Sequence, residues 1–293
     1  MELTFAHYRN RFCMFRTYYA LATGKIKPEG FNMKVIELPD PPSREQEEAL
    51  IRGDVQVANL YLPNFLRQKL QGAPIVGLST EWKSTMKGNG IFVLKNGPIQ
   101  SPQDLAGKLI VTHQGAHAVH RYLLRHVYGV DEGSLRWDSR PQEKLLDTLR
   151  RGEADAIVLL DQFFFRGETA EDVRCLYTDG EAWTKLTGFD QIIKHMVAAR
   201  EDFLKAHPGI KETLLTVFRA SFAYSETHLD EIADAFIRRY GGDRDALLAS
   251  ARYPKIEFTL TEQEQKLAEA EIDMLVEVGE IPRKAPMASL FAF

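Results

Sequence analysis

Short apolar runs alternate with helical patterns twice along this chain, and that alternation constrains its fold more than any single motif. Strand-like runs at 3–7, 33–38, 55–60 and 75–79 are separated by helical patterns at 15–23, 43–52 and 63–70. Gly24 and Gly53 stand where helix-ending glycines belong, and Ser43 with Gln46 has the spacing of a reciprocal N-terminal cap after Pro41-Pro42. A strand at 90–94 leaves this unit, and a second series follows: strand 109–112, helix 116–127, strand 135–137, helix 142–151, strands 156–160 and 173–177. The run 192–199 carries the chain back, and helical patterns then dominate at 201–206, 208–227, 229–240, 244–251 and 262–278. A strand followed by a helix, repeated, builds mainly parallel α/β sheets. The layout therefore predicts two lobes: residues 1–90 with 196–293, which carry the C-terminal helices, and an inserted lobe, 91–195. Two crossing strands would leave a ligand cleft between them.

Charge and apolar content narrow the partners. A net charge of −4 lacks the basic excess that nucleic-acid binding demands, so no nucleic acid is expected. No apolar run approaches the roughly 20 residues needed to span a bilayer, so no direct membrane insertion is expected. As written the chain reads as cytoplasmic, and as periplasmic or lipid-anchored if an export signal has been removed from it. Cys13 and Cys175 have neither metal-ligand spacing nor the density of a disulfide scaffold, and no metal or cofactor is expected.

Ligands of open α/β sheets gather where strands end and the next helices begin. That rule selects His7, Tyr8, Arg9, Asn10 and Arg11 after the first strand, Asn59 and Tyr61 at the third, and Thr80, Glu81 and Trp82 after the fourth. In the second lobe it selects the turn His113, Gln114, Gly115, Ala116 and His117, and then Asp161 and Gln162. Arg9 and Arg11 suit a carboxylate, sulfonate or phosphate, since a guanidinium makes paired charge-assisted hydrogen bonds; the alternative is that one or both face solvent. Tyr61 and Trp82 offer flat apolar walls with a polar edge. The helix start after Gly115 has unpaired N–H groups and the positive end of the helix dipole, which favour an anion or a carbonyl. His117 and His120 can share a helix face, but no carboxylate or cysteine completes a metal set with His113, so neutral hydrogen bonding at the cleft is the expected role. His195, in IIKHMV, reads as a hinge or core histidine.

Five stretches, ALATGKIKPEGFNMKVIEL (20–38), ALIRGDVQVANLYLPNFL (49–66), SPQDLAGKLIVTHQGAHAVH (101–120), LLDTLRRGEADAIVL (145–159) and AAREDFLKAHPGIKETLLTVFRASFAYS (198–225), resemble the type II periplasmic-binding-protein family. The likeness is to the solute-binding branch that includes nitrate, sulfonate and thiamine-pyrimidine receptors. It implies a two-lobed α/β fold that closes on a small anionic or aromatic solute and delivers it to a membrane transporter of the ABC type. A narrower set, 25–33, DLAGK, RYLLRHVYGV, LRW and the terminal LFAF, is similar to 4,5-dihydroxyphthalate decarboxylases. That likeness implies a cytoplasmic lyase acting on an aromatic carboxylate, with Arg9 or Arg11 holding the carboxylate and His113, His117 or His195 supplying a proton. Cys13 lies where related desulfinases carry a nucleophile, but NLYLPNFLRQK lacks their partner histidine, which favours a buried structural thiol. The same stretch lacks the lysine and histidine that a pyrimidine synthase of this fold would need.

Overall fold

The apolar runs become strands, and amphipathic helices cover the faces of the sheets they form. In the computed structural model, which describes residues 2–40, 43–113 and 117–292, the strands are β1 (Glu2–Tyr8), β2 (Asn32–Leu38), β3 (Val57–Tyr61), β4 (Ile75–Thr80), β5 (Trp82–Ser84), β6 (Asn89–Leu94), β7 (Leu109–Thr112), β8 (Arg136–Ser139), β9 (Ala156–Leu160), β10 (Val173–Thr178), β11 (Ile192–Ile193), β12 (His195–Arg200) and β13 (Lys255–Ile256). Two five-stranded sheets result, ordered β2-β1-β3-β12-β4 and β10-β6-β9-β7-β8, with a three-stranded sheet β11-β5-β13 between their connections.

Pairing is parallel where βα units follow one another: β1 with β2 and β3, and β7 with β8 and β9. It is antiparallel at the strands that cross between the sheets. β12 lies antiparallel between β3 and β4, and β6 between β10 and β9. A strand arriving from the other lobe enters its sheet from the opposite end, so each sheet is a mixture of both pairings. The returning run 192–199 is accordingly not one strand. It breaks at Lys194, whose N–H donates to the Trp82 carbonyl at 2.9 Å and whose carbonyl accepts from Leu62 N–H at 3.0 Å. β11 therefore pairs with β5, and β12 joins the first sheet. We propose the division 1–90 with 196–293 and 91–195 for the two lobes; the strands themselves place Asn89 in the second sheet and His195 in the first.

Local signals were read correctly at Gly53, which caps its helix in the left-handed region at φ 89°, and differently at Ser43. Arg44 is the N-cap there, and Ser43 Oγ accepts the Glu45 N–H, at 3.3 Å. Two helices of eight or more residues have no counterpart in the sequence reading, Gln162–Thr169 and Asp179–Thr187. Each is short, and in the first the apolar side chains follow one another rather than recur at helical spacing, as in Phe163, Phe164 and Phe165. The second starts against the chain between β5 and β6: a Cβ on Gly180 would lie 1.9 Å from the Thr85 carbonyl oxygen, so only glycine fits.

The first core packs Leu3, Phe5, Val57, Leu78 and Val197 against Tyr18 and Phe218 of helices Phe12–Ala22 and Ile210–Thr227. The second packs Phe92, Val111, Ile157 and Leu159 against Leu145, Leu149 and Phe164. Burial of each such side chain contributes roughly 1.5–3 kcal/mol. The C-terminal helices touch both: Arg121 donates to the Val278 carbonyl at 2.8 Å, and Ala246 joins the core of the second sheet. Among the described residues, no helix is long and apolar enough to cross a membrane.

Candidate functional site

β1 ends at Tyr8, and the chain then turns sharply at Asn10, which sits in the left-handed region at φ 58°. That turn leaves Arg9 exposed and swings Arg11 inward as the N-cap residue of helix Phe12–Ala22. Arg11 reaches Asp40 beyond the end of β2, with Nε at 2.9 Å and Nη2 at 2.6 Å from Oδ2. His113, at the end of β7 in the other sheet, places Nε2 at 2.9 Å from the same oxygen. Burial works to raise the Asp40 carboxyl, but the Arg11 guanidinium and His113 override it and hold it at about 2. Burial likewise works against the Arg11 charge, and Asp40 keeps the guanidinium above its usual range. The trio ties the strand ends of the two sheets together.

Around it lies a narrow cleft. Tyr8, Arg11, Cys13, Asp40 and Tyr61 line it from the first sheet, Asn89, His113, Leu160 and Asp161 from the second, and Trp82, Lys194 and His195 from the crossing segments. The rings of Tyr8, Tyr61 and Trp82 stand edge-on to His195, with centroids 5.8, 5.2 and 5.8 Å away. His195 Nδ1 lies 3.0 Å from Asn59 Oδ1, one layer behind the cleft, and Asn59 in turn donates to Glu81. Burial, reinforced by the nearby Arg11 charge, lowers His195 to about 3, so its ring is neutral near pH 7.

Two further groups complete the walls. Lys194 Nζ and Asn89 Nδ2 both lie 2.6 Å from Asp179 Oδ2, in a fully buried ion pair; burial opposes the ammonium charge, and Asp179 outweighs it. Asn89 Oδ1 meets His120 Nε2 at 3.1 Å, so His120 belongs to a buried hydrogen-bond network. Asp161 adopts φ 52° and ψ −136°, a conformation that non-glycine residues rarely take. Its Oδ2 is buried without a hydrogen-bond partner among the described residues. Burial raises the Asp161 carboxyl; burial and Asp161 together push the adjacent Cys13 thiol well above its usual range, so Cys13 stays a thiol. Among the described residues, no group of three or more His, Cys, Asp or Glu is placed to hold a metal ion.

Of the residues selected from the sequence, Tyr8, Arg11, Tyr61, Trp82, His113 and Asp161 come together in this cleft. His7 does not line it; it is buried against Tyr18, with ring centroids 5.2 Å apart. Asn10 and Gln162 meet at a neighbouring groove, where Gln162 Nε2 lies 3.4 Å from the Asn10 carbonyl oxygen. Gln114, Gly115 and Ala116 lie outside the described residues, and so does the side chain of His117, whose backbone opens helix His117–Tyr128. Sequence reasoning leaves Asp40, Asn89 and Lys194 off the candidate site and gives His195 as a hinge or core histidine, or as a proton source on the decarboxylase likeness alone. Asp40 had a usable signal, since it follows the second strand directly; Lys194 had another, a lysine inside an apolar run.

The family model described as NMT1/THI5 like matches residues 14–232. A search of curated proteins returns no match. Among solved structures, the periplasmic aliphatic sulphonate binding protein SsuA from Escherichia coli is 16% identical with TM-score 0.79, the match covering 100% of this chain and 92% of that one. The alkanesulfonate-binding protein SsuA from Xanthomonas axonopodis pv. citri, bound to MOPS, is 15% identical with TM-score 0.79, covering 99% and 98%. A Candida albicans gene product described as having the generic periplasmic binding protein structural fold is 15% identical with TM-score 0.72, covering 100% and 96%. The resemblance to 4,5-dihydroxyphthalate decarboxylases is not among what these comparisons show. With two mixed sheets facing one cleft and a family match across most of its length, the chain has the two-lobed periplasmic-binding-protein fold and belongs to the NMT1/THI5-like family.

Proposed function

We propose that the cleft binds one small, planar solute and that the chain presents this solute to a membrane transporter, as the ligand-binding component of an ABC-type import system. The observation that carries the reading is the shared lining: Arg11, Tyr61 and Trp82 face His113 and Asp161 across a single cleft. A site divided between two lobes recognises its ligand by closing on it, and needs no bond chemistry. The sulfonate-binding neighbours support the same kind of activity. Aromatic walls do more of the recognition here than charge. Arg11 is already paired with Asp40, and Lys194 with Asp179, so an incoming anion must compete with a carboxylate for either cation.

A thermal-shift screen of small aromatic acids, amides, phenols and sulfonates tests this. A solute bound only by the folded chain stabilises it by about 2.7 kcal/mol at a hundredfold excess over Kd. Stabilisation by at least one compound, lost in Trp82→Ala, is expected. A panel without effect, or effects that persist undiminished in Trp82→Ala, would argue against the cleft.

A further inference from the structure

His195 is the ring that Tyr8, Tyr61 and Trp82 all face, and its two nitrogens have different surroundings. Nδ1 lies 3.0 Å from Asn59 Oδ1. An amide oxygen only accepts, so Nδ1 carries the hydrogen and Nε2 is left with a bare lone pair. Asn59 is not free to turn over, because its Nδ2 donates to Glu81 Oε2. Glu81 is itself fixed between β4 and β5: its N–H donates to the His195 carbonyl at 3.0 Å, and its carbonyl accepts from Glu257 N–H at 3.0 Å. The side chain is fully buried, which raises its carboxyl to about 7 against the opposing pull of Tyr18 and Asn59, and Oε1 has no close hydrogen-bond partner among the described residues. A proton taken up by this carboxyl can therefore sit on Oε1, leaving Oε2 to accept from Asn59 as before. Arg11 and Lys194 stand near the ring and disfavour a second proton on it; His113 acts in the same sense, and Asp40 opposes them. No hydrogen bond to His195 Nε2 occurs among the described residues, and the ring lines the cleft.

Resting on the solute-binding reading above, we infer that Asn59 and Glu81 are positioning residues that hold His195 as a neutral Nε2 acceptor, so that the cleft selects a planar solute presenting an N–H or O–H donor. Asp161 supplies a second acceptor from the opposite lobe, through Oδ2, which has no hydrogen-bond partner among the described residues. An amide, a phenol or a ring N–H pairs with such a wall, whereas a carboxylate or sulfonate edge meets lone pairs.

The tautomer can be read without any ligand. Long-range proton–nitrogen correlation spectra of the full chain, labelled with 15N-histidine and assigned with His195→Gln, report which nitrogen is protonated. Near pH 7 the Nδ1–H form of His195 is expected. Asn59→Leu removes the acceptor and should move population to Nε2–H. The gentler Glu81→Gln should do so in part, because a glutamine can donate to Asn59 and let its amide turn over. Asn59→Asp keeps an acceptor and should keep the tautomer. The remaining histidine signals check that each variant is folded, and Glu81→Gln carries the test if Asn59→Leu does not fold. An Nε2–H or doubly protonated ring in the unsubstituted chain overturns the inference, as does a tautomer unmoved in the folded variants. Added phenol should shift the Nε2 resonance and anisole, which lacks the donor, should not. Equal shifts, or no shift from either, overturn the selectivity. A correct tautomer in a chain that binds no solute fails the binding reading alone, and a wrong tautomer in a chain that binds solute fails this inference alone.

Discussion

Asp40→Asn removes a charge and little else, and it acts on the trio that joins the two walls of the cleft. The Arg11 guanidinium, 7% exposed, would lose its paired carboxylate and keep an amide, His113 and the charge of the nearby Asp161. The size of the effect follows from the Asp40 carboxyl, held at about 2 in the fold against an ordinary 3.8. At roughly 1.36 kcal/mol per pH unit, that difference corresponds to about 2 kcal/mol of folding stability. Because the folded value is depressed, the contribution is fully present above the unfolded value and is lost as pH falls through about 2. About half of it should remain near pH 3. Urea unfolding followed by circular dichroism should therefore find the variant less stable by about 2 kcal/mol near neutrality and by about 1 kcal/mol near pH 3. Equal stability at neutral pH, or a penalty that does not shrink on acidification, would refute the ion-pair account of this trio.

The buried pair beneath the cleft makes a second prediction. Lys194→Met should cost roughly 3–5 kcal/mol by stranding Asp179, while the double variant Lys194→Met/Asp179→Asn should recover a large part of that loss in a double-mutant cycle. Additive losses would mean that the two charges are independently solvated. Asp161→Gly should relieve the backbone at φ 52° and raise stability by about 1 kcal/mol in the same unfolding assay, while weakening solute binding. A destabilised variant would show that the Asp161 side chain contributes more to folding than its conformation costs.

Much of the fold was legible because β and α periodicity and the glycine stops agree locally, as at Gly24 and Gly53. The break in the returning strand was not legible. Nothing in IIKHMV marks Lys194 as the point where the chain leaves one sheet for another; that is decided by the partners Trp82 and Leu62, both distant in sequence. The helix Asp179–Thr187 escaped for a similar reason, since its start depends on a glycine fitting against Thr85. At the site, the strand-end rule found Arg11, Tyr61, Trp82, His113 and Asp161 because those positions follow from topology. It could not separate Arg9 from Arg11, since the left-handed turn at Asn10 decides which of them points inward. It also passed over Lys194 and His195, which reach the cleft from the start of the antiparallel crossing strand rather than from the carboxyl end of a strand that leads into a helix.

Native mass spectrometry of the purified chain, incubated with a small-molecule cell extract and then separated from unbound material, tests the central claim most directly. The account predicts one bound solute of small mass, released chemically unchanged on unfolding and absent from Trp82→Ala and Asp161→Gly. A chain that retains nothing, a solute that both variants retain equally, or one recovered lighter by carbon dioxide would contradict it.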